Sequence, residues 1–339
     1  MKLCWHIHCY YSGTTLIHFN LINMINRHIK HNLLILFAIF FLMAISTSAM
    51  AEVSASYLYR LSNFNGLIPY HWANIIADKE KNEIYVVDTK ERDITVFNEN
   101  GMEVYRFGDD GKLGTIGHLT VYRNGDILVL SRKASKYSIT LCDFRGNPKS
   151  EIELKNIPSD FSGFLPDRIA YRKGRIYLTD TFSMMVVVTD PNGHFENGYD
   201  IASLLDIEEK KRDETEMADF SVDREGNMLF TIPSFFGAFR LSPDGNLTMF
   251  GEKGSAPGKF GVVAGIAADD KGYIYVSDKL RCVVLIFDKE LRFQAEFGNR
   301  GYRPGNLIVP NDLTVDSKGR VYVAQAGKRG VSVFKITYN

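Results

Sequence analysis

The sequence predicts an all-β fold, a six-bladed β-propeller with four-stranded antiparallel blades, and three observations support this prediction. A Phe-Gly-x-x-Gly-x-x-Pro-Gly pattern that begins at Phe250 returns 47 residues later at Phe297. A turn followed by an aromatic or β-branched strand occurs six times. The last repeat lacks one strand, and a spare strand stands near the start of the chain. Four-stranded units repeated every 40 to 50 residues are typical of propeller blades.

The six turns share a glycine or asparagine at the tip, because two-residue hairpin turns need a positive φ. The residues that follow each tip have high strand propensity. The tips are Asn82, Gly125, Gly174, Gly226, Gly272 and Gly319. An apolar strand precedes each tip and one or two strands follow it, which gives about four strands for each unit.

The two ends of the chain are expected to share a blade. The sixth unit ends at Asn339 after three strands, and Tyr59-Arg60-Leu61 parallels Tyr105-Arg106-Phe107 one period later. Pairing of the N-terminal strand into the last blade would close the ring and leave no exposed sheet edge. We therefore expect six blades within residues 52–339.

The unit from Gly265 to Asp278, with its Phe-Gly-x-x-Gly-x-x-Pro-Gly tail, resembles an NHL repeat. The resemblance covers about residues 53–339 and implies a propeller. In that family Asn and Arg usually follow the Asp of the repeat, whereas Lys279-Leu280-Arg281-Cys282 follows Asp278 here. The chain has no Trp-Asp dipeptide and no Gly-Gly pair, which argues against WD40 and kelch repeats.

Residues 1–51 are typical of an export signal or an uncleaved membrane anchor. Leu33 to Ile45 is an apolar run of 13 residues, preceded by Arg27 and Lys30 and followed by small residues around Ala49 and Ala51. A conventional signal would begin at Met24, so we hypothesise that residues 1–23 are not translated. The propeller is then expected outside the cytoplasm, periplasmic or secreted, with membrane contact only through an uncleaved N-terminal segment.

Charge content indicates the class of binding partner, and cysteine positions indicate whether a disulfide forms. Without residues 1–51 the chain has 37 Lys and Arg against 40 Asp and Glu, and no basic cluster shows in the sequence. Nucleic-acid binding requires clustered cations, so we expect a protein or peptide partner instead. Cys142 and Cys282 fall on distant blades, which predicts two separate buried thiols.

Polar residues recur at the start of the innermost strands, where a propeller channel has its mouth. Alignment on the turn tips gives one column: Asn74, His118, Asp167, Asp219, Gly265 and Asp312. His71 and Trp72 lie just ahead of this column. One interpretation is structural, with Asp side chains bonded to backbone amides. The other is a binding mouth, at which Asn74, Asp167, Asp219 and Asp312 are candidate ligands for calcium.

These features favour a binding scaffold for a protein, a peptide or another ligand, and we assign no catalytic residue. The alternative is a metal-assisted hydrolase or lyase with a cation at the channel mouth. NHL-like peptide-amidating lyases hold zinc with histidines, but the third histidine here, His194, falls in a turn far from the channel.

Two insertions, 155–166 and 201–217, are expected to add loops, with Phe161 and Phe164 exposed and a short helix capped by Ser203.

Overall fold

A computed structural model describes residues 53–63, 66–67, 73–88, 93–134, 136–212, 214–326 and 329–338. The chain divides into two units, Met1–Glu52 and Val53–Asn339. The export segment and the proposed start at Met24 lie outside the described residues. In the described ranges, no helix has the length and apolar character needed to cross a membrane.

Six four-stranded antiparallel sheets form the blades, as the sequence predicts. The chain begins with strand β1 (Val53–Arg60) and a small hairpin of β2 (Ser62–Asn63) and β3 (Gly66–Leu67). Blade 1 contains β4 (Ala73–Asp78), β5 (Glu83–Asp88), β6 (Asp93–Phe97) and β7 (Glu103–Phe107). Blade 2 contains β8 (Thr115–Val121), β9 (Ile127–Lys133), β10 (Lys136–Cys142) and β11 (Pro148–Ile152). Blade 3 contains β12 (Arg168–Arg172), β13 (Arg175–Asp180), β14 (Met185–Thr189) and β15 (Phe195–Asp200).

The second half of the ring repeats the same arrangement. Blade 4 contains β16 (Asp219–Val222), β17 (Met228–Ile232), β18 (Gly237–Leu241) and β19 (Leu247–Phe250). A short parallel pair follows, β20 (Glu252–Lys253) and β21 (Lys259–Phe260). Blade 5 contains β22 (Val263–Ala268), β23 (Ile274–Asp278), β24 (Val283–Phe287) and β25 (Phe293–Phe297). Blade 6 contains β26 (Pro310–Val315), β27 (Arg320–Gln325) and β28 (Gly330–Tyr338), and β1 completes it.

Strand direction gives the disc two different faces. The turns between the first and second strands of every blade lie on one side, which we call the turn-tip face. The opposite side, the loop face, carries the turns between the second and third strands and the connections between blades. Helices α1 (Ile201–Leu204) and α2 (Glu209–Arg212) belong to the connection from blade 3 to blade 4.

Ring closure by the N-terminal strand is confirmed. Strand β1 pairs antiparallel with β28, from Val53 opposite Tyr338 to Arg60 opposite Ser332. The end of β28 is also bonded to blade 5, because the Tyr338 hydroxyl donates to Asp269 Oδ2 at 2.6 Å and contacts the Tyr275 hydroxyl. The last residues of the chain therefore hold two blades together as well as completing one.

The hydrophobic core consists of six clusters of buried side chains, one at each interface between neighbouring blades. The β-branched and aromatic residues after each turn tip supply much of it, and Tyr85, Tyr275 and Tyr322 are fully buried. Cys142 and Cys282 are both buried and unpaired, as predicted. Stability therefore depends on packing between blades rather than on a disulfide.

Two expectations about the insertions are wrong. Phe164 is only 5% exposed, and Phe161 packs against Phe195 with ring centroids 6.1 Å apart, so these aromatics extend the core. Helix α1 is capped by Asp200 rather than Ser203, because Asp200 Oδ1 accepts the backbone N–H of Ser203 at 2.9 Å. The helix begins three residues earlier than the capping pattern suggests.

Replacement of Tyr338 by Phe should destabilise the ring, because it removes the hydroxyl that bonds Asp269 from blade 6. Hydrogen bonds to charged groups contribute about 1.5–3 kcal/mol, so we expect a loss near the lower end of that range in urea unfolding. Tyr302→Phe, at a side chain 74% exposed, is the matched control and should leave the free energy of unfolding unchanged. Equal effects of the two substitutions would contradict a closing role for Tyr338.

Candidate functional site

Strand register places six residues around the inner end of the channel. In every blade, the residue three positions after the turn tip is buried on the second strand and pairs with one residue of the inner strand. These paired residues lie at the same level in all six blades. The inner-strand residues two positions before them are Asn74, His118, Arg168, Asp219, Gly265 and Asp312. We call this set the axial ring.

The axial ring differs from the predicted column in blade 3, where Arg168 takes the position assigned to Asp167. The cause is a shorter turn: four residues separate Tyr171 from its partner Ile176, against five between Val222 and Met228 in blade 4. The alignment on Gly174 therefore selects Asp167, one residue before the true position. Because side chains alternate along a strand, this slip exchanges a carboxylate for a guanidinium.

Arg168 lies among three carboxylates, those of Asp167, Asp219 and Asp312. Its Nη1 atom is 3.0 Å from Asp167 Oδ2, and its Nε atom is 3.6 Å from Asp219 Oδ1. The Arg168 side chain is 19% exposed and that of Asp167 is 43% exposed. Asp167 also accepts the backbone N–H and the hydroxyl of Thr181, at 2.9 and 2.7 Å. Asp167 therefore stands beside the axial ring and helps to hold Arg168 in place.

Asp219 and Asp312 are buried, and both bind backbone amides of the next blade. Asp219 Oδ2 accepts the N–H of Ile266 at 2.8 Å, and Asp312 Oδ2 accepts the N–H of Ile75 at 2.8 Å. Asp312 Oδ1 also accepts the N–H of Leu313. These bonds are those expected of the structural interpretation, except that they cross from one blade to the next.

Burial and mutual charge shift the protonation of the axial ring. Burial raises the pKa of Asp219, although Arg168 opposes this shift. Burial and the nearby charge of Asp219 raise the pKa of Asp312 well above its ordinary value. Burial disfavours the charged form of Arg168, but Asp167, Asp219 and Asp312 together raise its pKa. One guanidinium thus compensates carboxylates that would otherwise repel one another.

His118 and Asn74 complete the polar part of the ring. Burial, and after it the positive charge of Arg168, lower the pKa of the His118 imidazole to about 3, so the ring is neutral at pH 7. Its Nδ1 atom has no hydrogen-bond partner among the described residues. Asn74 Nδ2 donates to the carbonyl of Gly117 at 3.0 Å. The predicted neighbours His71 and Trp72 lie outside the described residues.

The calcium site stays a prediction. In the described part of the chain, no group of three or more His, Cys, Asp or Glu side chains is placed to hold a metal ion. Of the four candidate ligands, Asp167, Asp219 and Asp312 already accept backbone hydrogen bonds. The other carboxylate oxygens of Asp167 and Asp219 lie 3.0 and 3.6 Å from the Arg168 guanidinium, and this donor set fits Arg168 better than a divalent cation.

A central cavity of about 520 Å³ runs along the inner strands. At one end it is lined by His118 and by the buried Asp219 and Asp312. At the other end it is lined by exposed turn residues, among them Glu80, Asn124 and Lys173. The cavity therefore opens on the turn-tip face, and the axial ring forms its inner end rather than the solvated mouth that the sequence suggested.

The loop face carries a set of exposed apolar side chains. Among the described residues, six of the large exposed hydrophobic side chains lie on turns or connections of this face: Leu165, Phe182, Leu204, Phe235, Leu280 and Tyr302. Their exposed fractions run from 37% for Phe235 to 74% for Tyr302. They belong to the consecutive segments from the entry to blade 3 through the entry to blade 6.

Comparison with solved structures shows the propeller fold. A Bacteroides thetaiotaomicron protein of unknown function has a TM-score of 0.62 at 13% identity, with 84% of this chain and 77% of that chain covered. A streptogramin B lyase has a TM-score of 0.56 at 14% identity, with 86% and 100% covered. A gluconolactonase from Xanthomonas campestris has a TM-score of 0.55 at 11% identity, with 86% and 93% covered.

No protein-family model matches the chain, and no curated protein matches it. At these identities the similarity establishes a common fold and leaves the chemistry of this chain to its own residues.

Replacement of Arg168 by Met should strongly destabilise the propeller, since it leaves Asp219 buried without its cation. Removal of one member of a buried ion pair costs about 3–5 kcal/mol. The second substitution Asp219→Asn in the same chain should recover part of this loss, which a double-mutant cycle in urea would measure. Arg175→Met breaks the exposed Arg175–Glu196 pair and should cost less than about 1 kcal/mol. Additive losses for Arg168 and Asp219 would show that the two do not interact.

The depressed pKa of His118 predicts a specific pH dependence. The unfolded chain takes up a proton near pH 6.5, whereas the folded chain does so only near pH 3, so this contribution to stability is present above pH 6.5 and is lost as the pH falls. Relative to His118→Gln, the wild-type protein should lose up to about 1.4 kcal/mol of unfolding free energy per pH unit below pH 6.5. The difference between the two proteins at pH 7.5 to 9 should be constant and serves as the control. A constant difference down to pH 4.5 would contradict a neutral imidazole in the folded chain.

Proposed function

We propose that the protein is an exported binding module that holds a protein or peptide partner on its loop face. The observation that carries this proposal is the set of six exposed Leu, Phe and Tyr side chains on that face. Exposed apolar groups arranged together on a soluble surface are typical of interaction sites. Aromatic residues contribute most strongly to such contacts when a partner excludes water from them.

The loop face can present these side chains because its turns are anchored. Leu165 is fixed by its backbone N–H, which Asp180 Oδ2 accepts at 2.9 Å. The carbonyl of Leu280 accepts Arg300 Nη2 at 2.6 Å, and the carbonyl of Tyr302 accepts Arg329 Nη2 at 3.2 Å. Binding to such preorganised loops loses less conformational entropy than binding to free loops.

The NHL resemblance supports a scaffold role, and the N-terminal segment supports a location outside the cytoplasm. NHL-like blades suit a scaffold, since a rigid ring displays many loops in one plane. The signal-like run from Leu33 to Ile45 is the reason to place this scaffold outside the cytoplasm, periplasmic or secreted. The near balance of charges in residues 52–339 favours a partner of mixed polarity over a nucleic acid.

An enzyme is the second candidate, a hydrolase or lyase acting in the central cavity. Two buried carboxylates with raised pKa values beside an arginine and a neutral histidine are the observation that favours it. Metal analysis of the purified protein separates the two functions. Stoichiometric calcium or zinc that is absent from the Asp219→Ala variant would favour the enzyme.

Replacement of Phe182 and Leu280 by Ser should remove partner binding without affecting folding, because both side chains are more than half exposed. The domain from Val53 onward would be immobilised and exposed to extract of its own source, and bound proteins identified by mass spectrometry. We expect the double variant to lose at least tenfold of the specific partner, as a cluster of truncated hot spots would. Phe144→Ser, on the turn-tip face, is the control and should retain the partner. Retention by both variants would exclude the loop face as the binding surface.

A further inference from the structure

The turn-tip end of the central cavity is rimmed by basic side chains from three consecutive blades. Lys79 of blade 1, Arg123 of blade 2, and Arg172 and Lys173 of blade 3 all line it. Glu80 and the buried Asp78 are the acidic residues that line the same end. The sequence separates these residues by almost a hundred positions, which is why no basic cluster was expected from it.

Two of these four cations are held in place by uncharged acceptors. Arg123 Nε donates to the hydroxyl of Tyr171 at 2.6 Å, and Lys173 Nζ donates to the backbone carbonyl of Glu225 at 2.6 Å. Among the described residues, Arg172 has no hydrogen bond or ion pair from its side chain. Lys79 differs, since it pairs with Asp270 at 2.7 Å. Three cations at the mouth therefore lack a carboxylate partner.

Below the rim, aromatic and apolar residues line part of the cavity wall. Tyr122 and Tyr171 lie with ring centroids 4.5 Å apart, and the Arg123 guanidinium is 5.5 and 5.9 Å from those two centroids. Further lining residues at or below this level include Ala170, Val222 and Val315. A bound molecule with an apolar body would find favourable packing there, while any charge would be best placed at the rim.

We propose that the cavity binds a small organic anion from the turn-tip face. Arg123, Arg172 and Lys173 hold its carboxylate or sulfonate group, and its apolar body extends past the Tyr122–Tyr171 pair along the inner strands. Guanidinium groups suit this role because they bind planar anions through two parallel hydrogen bonds. The proposal is independent of the partner proposed for the loop face, which lies on the other side of the disc.

Phenylacetate and its neutral analogue phenylacetamide are the probes for this site. Titration of the purified propeller, followed by calorimetry at low and high salt, should show binding of phenylacetate that weakens with salt and much weaker binding of phenylacetamide. Arg172→Gln and Lys173→Gln should each weaken phenylacetate binding roughly three- to tenfold. Arg224→Gln is the matched control, because Arg224 lies on the turn tip of blade 4 and does not line the cavity.

Histidine NMR locates the bound anion independently of affinity. His118 lines the inner part of the cavity, whereas His194 lies in an exposed turn bonded to Asp190. Phenylacetate should shift the His118 resonance, assigned with His118→Gln, and leave that of His194 in place. Equal binding of the amide, equal loss in Arg224→Gln, a shift confined to His194, or no binding of phenylacetate at 10-millimolar concentration, on the order of the weakest useful affinity, would each overturn the proposal.

Discussion

The inner edge of every blade faces the central channel, where no further strand can pair with its backbone amides. Unpaired buried amides cost free energy comparable to a lost hydrogen bond, so each edge needs another source of acceptors. Here the preceding blade supplies them. Asp312 and Thr314 of blade 6 accept the N–H groups of Ile75 and Ala77, and Thr120 of blade 2 accepts that of Tyr171.

The remaining interfaces are bonded in different ways. Asn74 donates from blade 1 to the carbonyl of Gly117, and Asp219 bonds blade 4 to Ile266. Arg168 connects blade 3 to blade 4 through Asp219. Between blades 5 and 6 no side chain is possible, since a Cβ on Gly265 would lie 2.7 Å from Asp312 Cα. The axial ring is therefore a sequence of contacts between neighbours, and its polar character follows from the closure of the ring itself.

Much of this architecture could be predicted from the sequence. The repeated turn tips establish the blades, and the missing strand of the last unit identifies β1 as its partner, because both features depend on local residue patterns. The position of Arg168 could not be predicted in this way, since it depends on a turn that is one residue shorter in blade 3. The available signal was a charged residue, Arg168, at the start of a strand and six positions before Gly174. Only the strand register shows that this residue belongs to the axial ring.

The surfaces were harder to predict than the fold for a physical reason. Leu165, Phe182 and Leu280 are separated in the chain and come to lie on one face only through the alternation of strand direction. The same holds for Arg123 and Arg172 at the opposite face. A repeat pattern identifies strands from short segments, whereas a binding surface depends on which turns share a side of the disc.

Closure by β1 and β28 also has a consequence for synthesis. The first described strand, Val53–Arg60, finds its hydrogen-bonding partner only in Gly330–Tyr338. A growing polypeptide that has emerged as far as blade 5 must keep one blade face without a neighbour until the final residues arrive. The export proposed above would extend this delay, because the native ring could then be completed only after translocation has ended.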